Sequence, residues 1–396
     1  MIQVAAAGLD IFDTWCREGA SSISSLFAKQ LGYECSGNIV AIGSKVSKFK
    51  EGDEVCAILG CGGGYAEFVV VPESHALLIP SGVPLVLAAA LPLASHLTFY
   101  TLSNLTDITA DKSVLIHEAA GGVGTVALQY AKHVGCEVFA VVGTEQELQV
   151  CQKLGATFSI NYKIQDFCER VKAETGEKGV DIILDLSGRD NFQKNLCCLA
   201  RDGSLVTTRH HVKSQVDVDL SILVEKNTSV IGGNFHSLRF PLRRPIQSDV
   251  AAKFWPLIEA GHIKPIIGKI FNFSEAQDAH RALEQKRKVG AGAGRVRASK
   301  LESSESPNFA ERMERAWLIS QQPRPISCSS CNSQGHVECK WCSGTGFFII
   351  GDNMLCQVPS RNTTCVICLG KGSACCSDCK GTGYRAKWLG EPPVSK

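Results

Sequence analysis

Eight cysteines near the C-terminus stand in four Cys-x-x-Cys pairs: Cys328/Cys331, Cys339/Cys342, Cys365/Cys368 and Cys376/Cys379. Two residues between thiolates let both sulfurs reach one tetrahedral ion. The last three pairs continue as Ser-Gly344-Thr-Gly346, Leu-Gly370-Lys-Gly372 and Lys-Gly381-Thr-Gly383. Glycines at those places let the backbone turn and aim N–H groups at sulfur. Eight thiolates make two four-cysteine sites, and zinc is the metal that such sites favour. The segment has few large apolar residues, so the metal must supply much of its folding free energy, on the order of 10 kcal/mol per site. Cys356, Cys375 and the nine cysteines before residue 290 fall outside this pattern.

A second chemistry sits at residues 113–135, SVLIHEAAGGVGTVALQYAKHVG. A short apolar run leads into Gly121, Gly122, Val123 and Gly124, after which Val126, Ala127, Tyr130, Ala131 and Val134 recur at helical spacing. Strand, glycine turn and helix together present free N–H groups and the positive end of a helix dipole, which is how a pyrophosphate is held.

The elements around that turn repeat its plan. Residues 1–80 read as β-rich, with strand-like runs at 39–42, 54–58 and 66–71, and residues 84–101 read as helical. From 113 to 232 strand and helix alternate: strands at 137–142, 158–160, 180–184, 204–207 and 229–231, helices at 146–154, 164–174 and 191–199. Such alternation with apolar strands predicts a parallel sheet covered on both faces. Residues 250–286 add a helix, a strand near 266–271 and a helix at 275–286. The stretch 290–308, GAGAGRVRASKLESSESPN, reads as a flexible linker.

Bulk properties narrow the partners. The chain has 396 residues, net charge +2 and 20% charged residues, so nothing points to nucleic acid or a membrane surface. No apolar run reaches the length of a spanning helix; the best, 83–97, contains two prolines, Ser95 and His96. The first residues lack the basic start of a secretory signal and the marks of a transit peptide. Scattered cysteines suit a reducing intracellular compartment.

Six segments together carry a resemblance: GYECSG (32–37), FKEGDEVCA (49–57), GGGYAEFVVVP (62–72), VLIHEAAGGVGTVALQYAK (114–132), LGATFSINY (154–162) and GVDIILDLSG (179–188). In that order and spacing they resemble the zinc-independent quinone oxidoreductases of the medium-chain dehydrogenase/reductase superfamily. The resemblance implies an α/β chain: an incomplete GroES-like β-barrel catalytic domain and a Rossmann doubly wound parallel sheet, with NADPH reducing a quinone or enone in the cleft between them. It also implies a homodimer through the Rossmann domain. The expected boundaries are 1–100 for the catalytic domain, 101–240 for the Rossmann domain, 241–289 for a return to the first, 290–325 for a linker and 326–388 for the cysteine module. Tyr33 stands where zinc-dependent relatives have His, and no four-cysteine lobe lies between Cys56 and Glu73. Cys35, Cys56 and Cys61 lack a nearby His and read as buried small residues.

The resemblance transfers several site residues, with departures. Asp10 and Trp15 stand where relatives line the cleft with Asn and Tyr; Asp10 reads equally as a turn residue. Thr98 matches a position near the nicotinamide, or is a helix hydroxyl bonded to its own backbone. After the second strand comes Gly143-Thr144 and no acidic residue, which favours NADPH over NADH. Tyr162 matches a contact to the 2′-phosphate. Against this, Glu118 replaces a usual Gly or Ala, and Glu147 replaces a Lys that neutralises the 2′-phosphate. Arg209-His210-His211 replaces a glycine-rich stretch and reads as solvated loop or a phosphate contact for Arg209. Relatives carry two strands ahead of Ile2 and an apolar strand after Gly290; Ala291-Gly292-Ala293-Gly294 stands in the latter place, so unpaired sheet edges and lower stability are expected.

The cysteine module resembles the zinc region of DnaJ chaperones, and more closely the small DnaJ-related proteins of plant chloroplasts. That likeness implies one zinc shared by the first and fourth pairs and one by the second and third, with a chloroplast or cytoplasmic setting in a plant. No His-Pro-Asp motif occurs, so client holding or thiol exchange with an unfolded protein is the expected activity. Phe347, Phe348, Ile349 and Ile350 form a candidate client edge or a hairpin core. Two readings follow: an NADPH-dependent quinone or enone reductase with an appended two-zinc module, or a zinc-binding chaperone-like protein whose nucleotide domain has lost turnover.

Overall fold

The computed structural model describes residues 1–19, 30–60, 62–188, 191–208, 215–235, 238, 240–285, 290–295, 326–327, 336–338, 373–375 and 384–385. The chain divides into two compact units, 1–300 and 301–396.

Among the described residues the first unit holds two sheets. One is built from β1 (Ile2–Leu9), β2 (Glu34–Ile39), β3 (Glu54–Ile58), β4 (Phe68–Val69) and β5 (Ala76–Leu78), joined by two strands from far along the chain. In β1 the side chains of Ile2, Val4 and Ala6 point into the core and those between are half-buried, the period-two pattern of a one-faced strand. Strand β2 is ECSGNI, too polar to stand out by sequence, yet almost all of it is buried. The apolar signal at 39–42 therefore lies several residues late of the strand itself. Gly37 is required there, because a Cβ would meet the Gln3 carbonyl oxygen of β1 at 1.9 Å.

The second sheet comprises β6 (Ser113–His117), β7 (Glu137–Val142), β8 (Phe158–Asn161), β9 (Val180–Asp185), β10 (Leu199–Thr207) and β11 (Ser229–Gly232). Its order is β11-β10-β9-β6-β7-β8, with every pairing parallel. Apolar residues cover both faces. Val114, Ile116, Val138 and Ala140 belong to one buried cluster, while Leu115, Phe139 and Val141 belong to another on the opposite side. This is the doubly wound sheet expected from the alternation of elements.

Two strands close the first sheet: β12 (Ile267–Asn272) and β13 (Ala291–Arg295), giving the order β12-β13-β1-β2-β3-β5 with β4 paired to β1. The β13 strand overturns two expectations. By sequence, residues 291–295 open a flexible linker and mark the place where a last apolar strand is missing. They form a strand between β12 and β1, with Ala6 opposite Arg295 and Leu9 opposite Gly292. Backbone hydrogen bonding to neighbours on both sides suffices for Ala and Gly to hold a central strand that β-propensity would not predict.

The helices are α1 (Ile11–Arg17), α2 (Leu85–Ala88), α3 (Pro92–Phe99), α4 (Gly122–Val134), α5 (Glu145–Lys153), α6 (Phe167–Thr175), α7 (Phe192–Cys198), α8 (Ser221–Lys226), α9 (Phe240–Asp249), α10 (Trp255–Glu259) and α11 (Ala276–Glu284). The stretch that reads as one helix, 84–101, is two, broken before Pro92 and followed by a π-turn at Tyr100–Asn104. Leu85–Asn104 is, among the described residues, long and apolar enough to cross a membrane, against the sequence reading. It is mostly buried in the protein, and Leu91, Leu93, Ala94, Phe99 and Leu102 pack in the main core. Its hydropathy is that of a core helix.

In the second unit, β14 (Ile326–Ser327) pairs antiparallel with β17 (Tyr384–Arg385), and β15 (His336–Glu338) with β16 (Ser373–Cys375). The eight paired cysteines, residues 347–350 and Arg209-His210-His211 lie outside the described residues.

Candidate active-site cleft

A cleft of about 630 Å3 opens between the two sheets of the first unit. One wall comes from β1, α1, β2 and α3: Asp10, Thr14, Trp15, Glu34, Leu93, Ala94 and Leu97 line it. The other comes from the carboxyl ends of the parallel strands, with Gly121, Gly122, Val123, Gly124, Thr144, Tyr162 and Leu186. Ligands in doubly wound sheets bind at this end.

The glycine turn takes the form its sequence predicts. Gly121 is the N-cap of α4 and offers no side chain to that helix's first turn. The first N–H groups of a helix have no partner within it, so they are left facing the cleft for an anion. Gly124 is needed for close packing, since a Cβ there would meet the Glu118 carbonyl oxygen at 2.2 Å. Glu118 lines the cleft and has φ 51, the left-handed region where glycine is at ease. A glycine there would have a backbone reason; an alanine would not.

The turn after β7 departs from expectation in a useful way. Thr144 caps α5 by accepting the Glu147 N–H at 3.3 Å. The Glu147 carboxylate folds back to accept the Gly143 N–H at 2.9 Å, so it serves the β7–α5 turn. Tyr162 is half-exposed and lies over Gly143, where a Cβ would come within 3.0 Å of its hydroxyl oxygen. Beside it, exposed Lys163 also lines the cleft. Sequence reasoning misses this cleft-lining cation because it looks for one at position 147.

On the opposite wall Asp10 is the N-cap of α1, its carboxylate accepting the Phe12 N–H at 2.8 Å, in a capping box with Asp13. Asp10 and Trp15 therefore both line the cleft, and Asp10 has a backbone duty as well. Thr98 does not reach the cleft. It is fully buried, and Ala90, Leu93, Ala94 and Leu97 form the cleft-facing side of that helical stretch. Its hydroxyl finds no hydrogen-bond partner among the described residues, so neither expectation for it holds.

Beneath α1 lies a buried polar chain. Asp13 accepts the Gly32 N–H at 2.7 Å, the Asp10 N–H at 3.1 Å and the Tyr65 hydroxyl at 3.2 Å. Tyr65 continues to His280 Nε2 at 3.2 Å, and His280 Nδ1 to Arg17 at 3.2 Å. Arg17 pairs with Glu284, which lines the cleft. Burial raises Asp13 to about 7, against the pull of its backbone donors. Desolvation lowers His280, helped by the Arg17 charge. This chain fastens α1, and with it Asp10 and Trp15, to α11. No periodicity announces it, because its links span 52, 215 and 263 residues.

Cys35 and Cys56 are buried and free, and burial pushes the Cys35 thiol to about 12. Among the described residues no group of three His, Cys, Asp or Glu side chains is placed to hold a metal ion.

Comparison with known proteins agrees with this geometry. Residues 1–81 match the family model for the alcohol dehydrogenase GroES-like domain, and residues 122–246 the model named zinc-binding dehydrogenase. The chain is 32% identical over 297 residues to quinone oxidoreductase 1 of Escherichia coli K12, covering 73% of this chain and 89% of that protein. It is 31% identical over 286 residues to a quinone oxidoreductase of Pseudomonas aeruginosa, covering 72% and 87%. The crystal structure of Escherichia coli quinone oxidoreductase complexed with NADPH superposes with a TM-score of 0.66 at 30% identity, covering 74% of this chain and 90% of that one. On these matches the chain belongs to the quinone oxidoreductase family of medium-chain dehydrogenase/reductases.

Proposed function

We propose that the first unit is an NADPH-dependent reductase of quinones or related enones. The observation that carries this is the uncapped start of α4, which presents its N–H groups to a cleft whose far wall is the other sheet. Gly121, Gly122, Val123 and Gly124 would hold the pyrophosphate. Thr144, Tyr162 and Lys163 would hold the adenosine side, with Lys163 giving the charge for a 2′-phosphate. The bound cofactor supplies a hydride. The chain supplies position through the glycine turn and a dry lining from Leu93, Ala94, Leu97 and Leu186. Asp10 and Trp15 line the acceptor end. Fluorescence titration with NADPH and NADH, followed by oxidation of the bound NADPH with a panel of quinones and enones, tests the reading. Tight NADPH binding without acceptor-dependent oxidation by any of them would sink it.

We infer that the second unit binds two zinc ions, one on Cys328, Cys331, Cys376 and Cys379, the other on Cys339, Cys342, Cys365 and Cys368. The nested strand pairing favours this set. β14 and β17 flank the first and fourth Cys-x-x-Cys pairs, while β15 and β16 lie inside them. Two zinc ions per chain by elemental analysis, lost on chelation, is the expected result; fewer than two in protein prepared with zinc would refute it. A homodimer through the Rossmann sheet is favoured by β11, at the end of the sheet order, with exposed Val216, Leu220, Val224 and Val230 around it. Sedimentation would separate dimer from monomer.

A further inference from the structure

We propose that Glu34 is the acid that gives a proton to the acceptor's oxygen. The proposal rests on the reductase reading above. Glu34 lines the cleft on the wall shared with Asp10 and Trp15, and only 5% of it is exposed. One oxygen of its carboxyl is held by a backbone N–H. Oε2 accepts the Leu93 N–H at 2.8 Å, and the other oxygen lies in a slot that exists because residue 8 is glycine. A Cβ on Gly8 would come 2.0 Å from Oε1.

The neighbouring polar side chains of this wall are committed otherwise. The Thr14 hydroxyl donates to the Ile11 carbonyl at 2.8 Å, and the Asp10 carboxylate accepts from the backbone of α1. Around Glu34 stand Asp10 and Asp13 on α1, Tyr65 opposite, and the buried thiols of Cys35 and Cys56. The charges that act on it are acidic. Burial, reinforced by those two aspartates, holds its carboxyl well above the ordinary carboxylate range despite the Leu93 N–H. A neutral carboxyl on the wall of a cleft can donate a hydrogen bond, and then a proton.

The step balances simply. Hydride brings two electrons and one hydrogen to the acceptor and leaves negative charge on its oxygen. The O–H bond of Glu34 breaks as that of the product forms, and water returns a proton to the carboxylate.

The test compares wild type with Glu34→Gln and Glu34→Asp. In cofactor-free protein, infrared spectroscopy should find a protonated carboxyl band in wild type that Glu34→Gln lacks. At saturating acceptor, kcat of Glu34→Gln should fall about 100-fold, with NADPH affinity within about twofold of wild type. Glu34→Asp should recover part of the loss, and wild-type kcat should decline as pH rises through the Glu34 titration. Glu34→Gln with wild-type kcat, or an unchanged carboxyl band, overturns the assignment while leaving the reductase reading intact. A wild type that oxidises no NADPH with any acceptor overturns both. If Glu34→Gln fails to bind NADPH, the wild-type profile decides, and a kcat that stays flat into alkaline pH overturns the proposal.

Discussion

Replacing Gly124 by alanine should damage both the fold and the cofactor site, and its size can be worked from the structure. The added Cβ would lie 2.2 Å from the Glu118 carbonyl oxygen and 2.8 Å from the Cα and carbonyl carbon of Ala119. The first contact is more than an ångström inside ordinary van der Waals distance. All three atoms are backbone, so no side chain can swing aside. The start of α4 must move away from the β6–α4 turn by roughly an ångström, or the turn must open. Overpacking of this kind costs about 1–3 kcal/mol in a close-packed core. For a unit of this size that lowers the melting temperature by several degrees, at roughly 2–4 °C per kcal/mol. The same movement misplaces the N–H groups proposed to hold the pyrophosphate, and losing one bond to a charged oxygen is worth about 1.5–3 kcal/mol. NADPH affinity should therefore weaken by about tenfold or more. Gly121→Ala is the control in the same turn. Its Cβ would meet only the Glu118 oxygen, at 3.2 Å, and its φ of −75 suits any residue. Thermal unfolding and fluorescence titration of both variants decide the matter. An unchanged Gly124→Ala protein, or a Gly121→Ala protein that loses more, refutes the reasoning.

Three other substitutions probe the site. Glu118→Gly removes a left-handed non-glycine residue and a carboxylate from the cleft, so melting temperature should rise by a few degrees and NADPH should bind several-fold tighter. Lys163→Ala should weaken NADPH binding about tenfold in low salt and leave NADH unchanged, in paired titrations. Asp13 is raised to about 7 in the folded state from an ordinary 3.8, so the fold holds its proton more tightly than the unfolded chain does. Its contribution is full below about pH 4 and is lost as pH rises through about 7. Asp13→Asn should flatten that decline in a plot of melting temperature against pH; an unaltered slope would show that Asp13 does not titrate there.

The parallel sheet and its glycine turn are legible because their signals are local: apolar runs, helical periodicity and a glycine cluster lie within a few residues of one another. The antiparallel sheet is harder to read. Strand β2 hides its burial behind ECSGNI, and β13 is built from Ala-Gly-Ala-Gly-Arg, so neither has the side chains that mark a strand. Only partners far along the chain make them strands. The same distance explains the site. Asp10 and Trp15 are placed on the cleft only by the family resemblance, whereas the Asp13–Tyr65–His280–Arg17 chain unites three remote segments. Thr98 sits one residue past the cleft-facing row of its helix, and a displacement of one position rotates a side chain by about 100°.

Both units close an early strand on a late one. Ala6 pairs with Arg295, and Ile326 pairs with Arg385. A ribosome delivers the chain from one end, at about 5–20 residues per second. The β1 strand must therefore wait for nearly 300 residues before its neighbour β13 exists, some tens of seconds at that rate. Until then β1 presents an edge that only other strands or a chaperone can cover. The cysteine unit repeats the problem on a shorter scale: β14 leaves the ribosome well before β17, so the pairing that frames the module waits for everything between them. The parallel sheet waits less: its widest pairing, β6 with β9, spans about 70 residues. During synthesis the parallel sheet can thereby be completed before the sheet whose first strands preceded it.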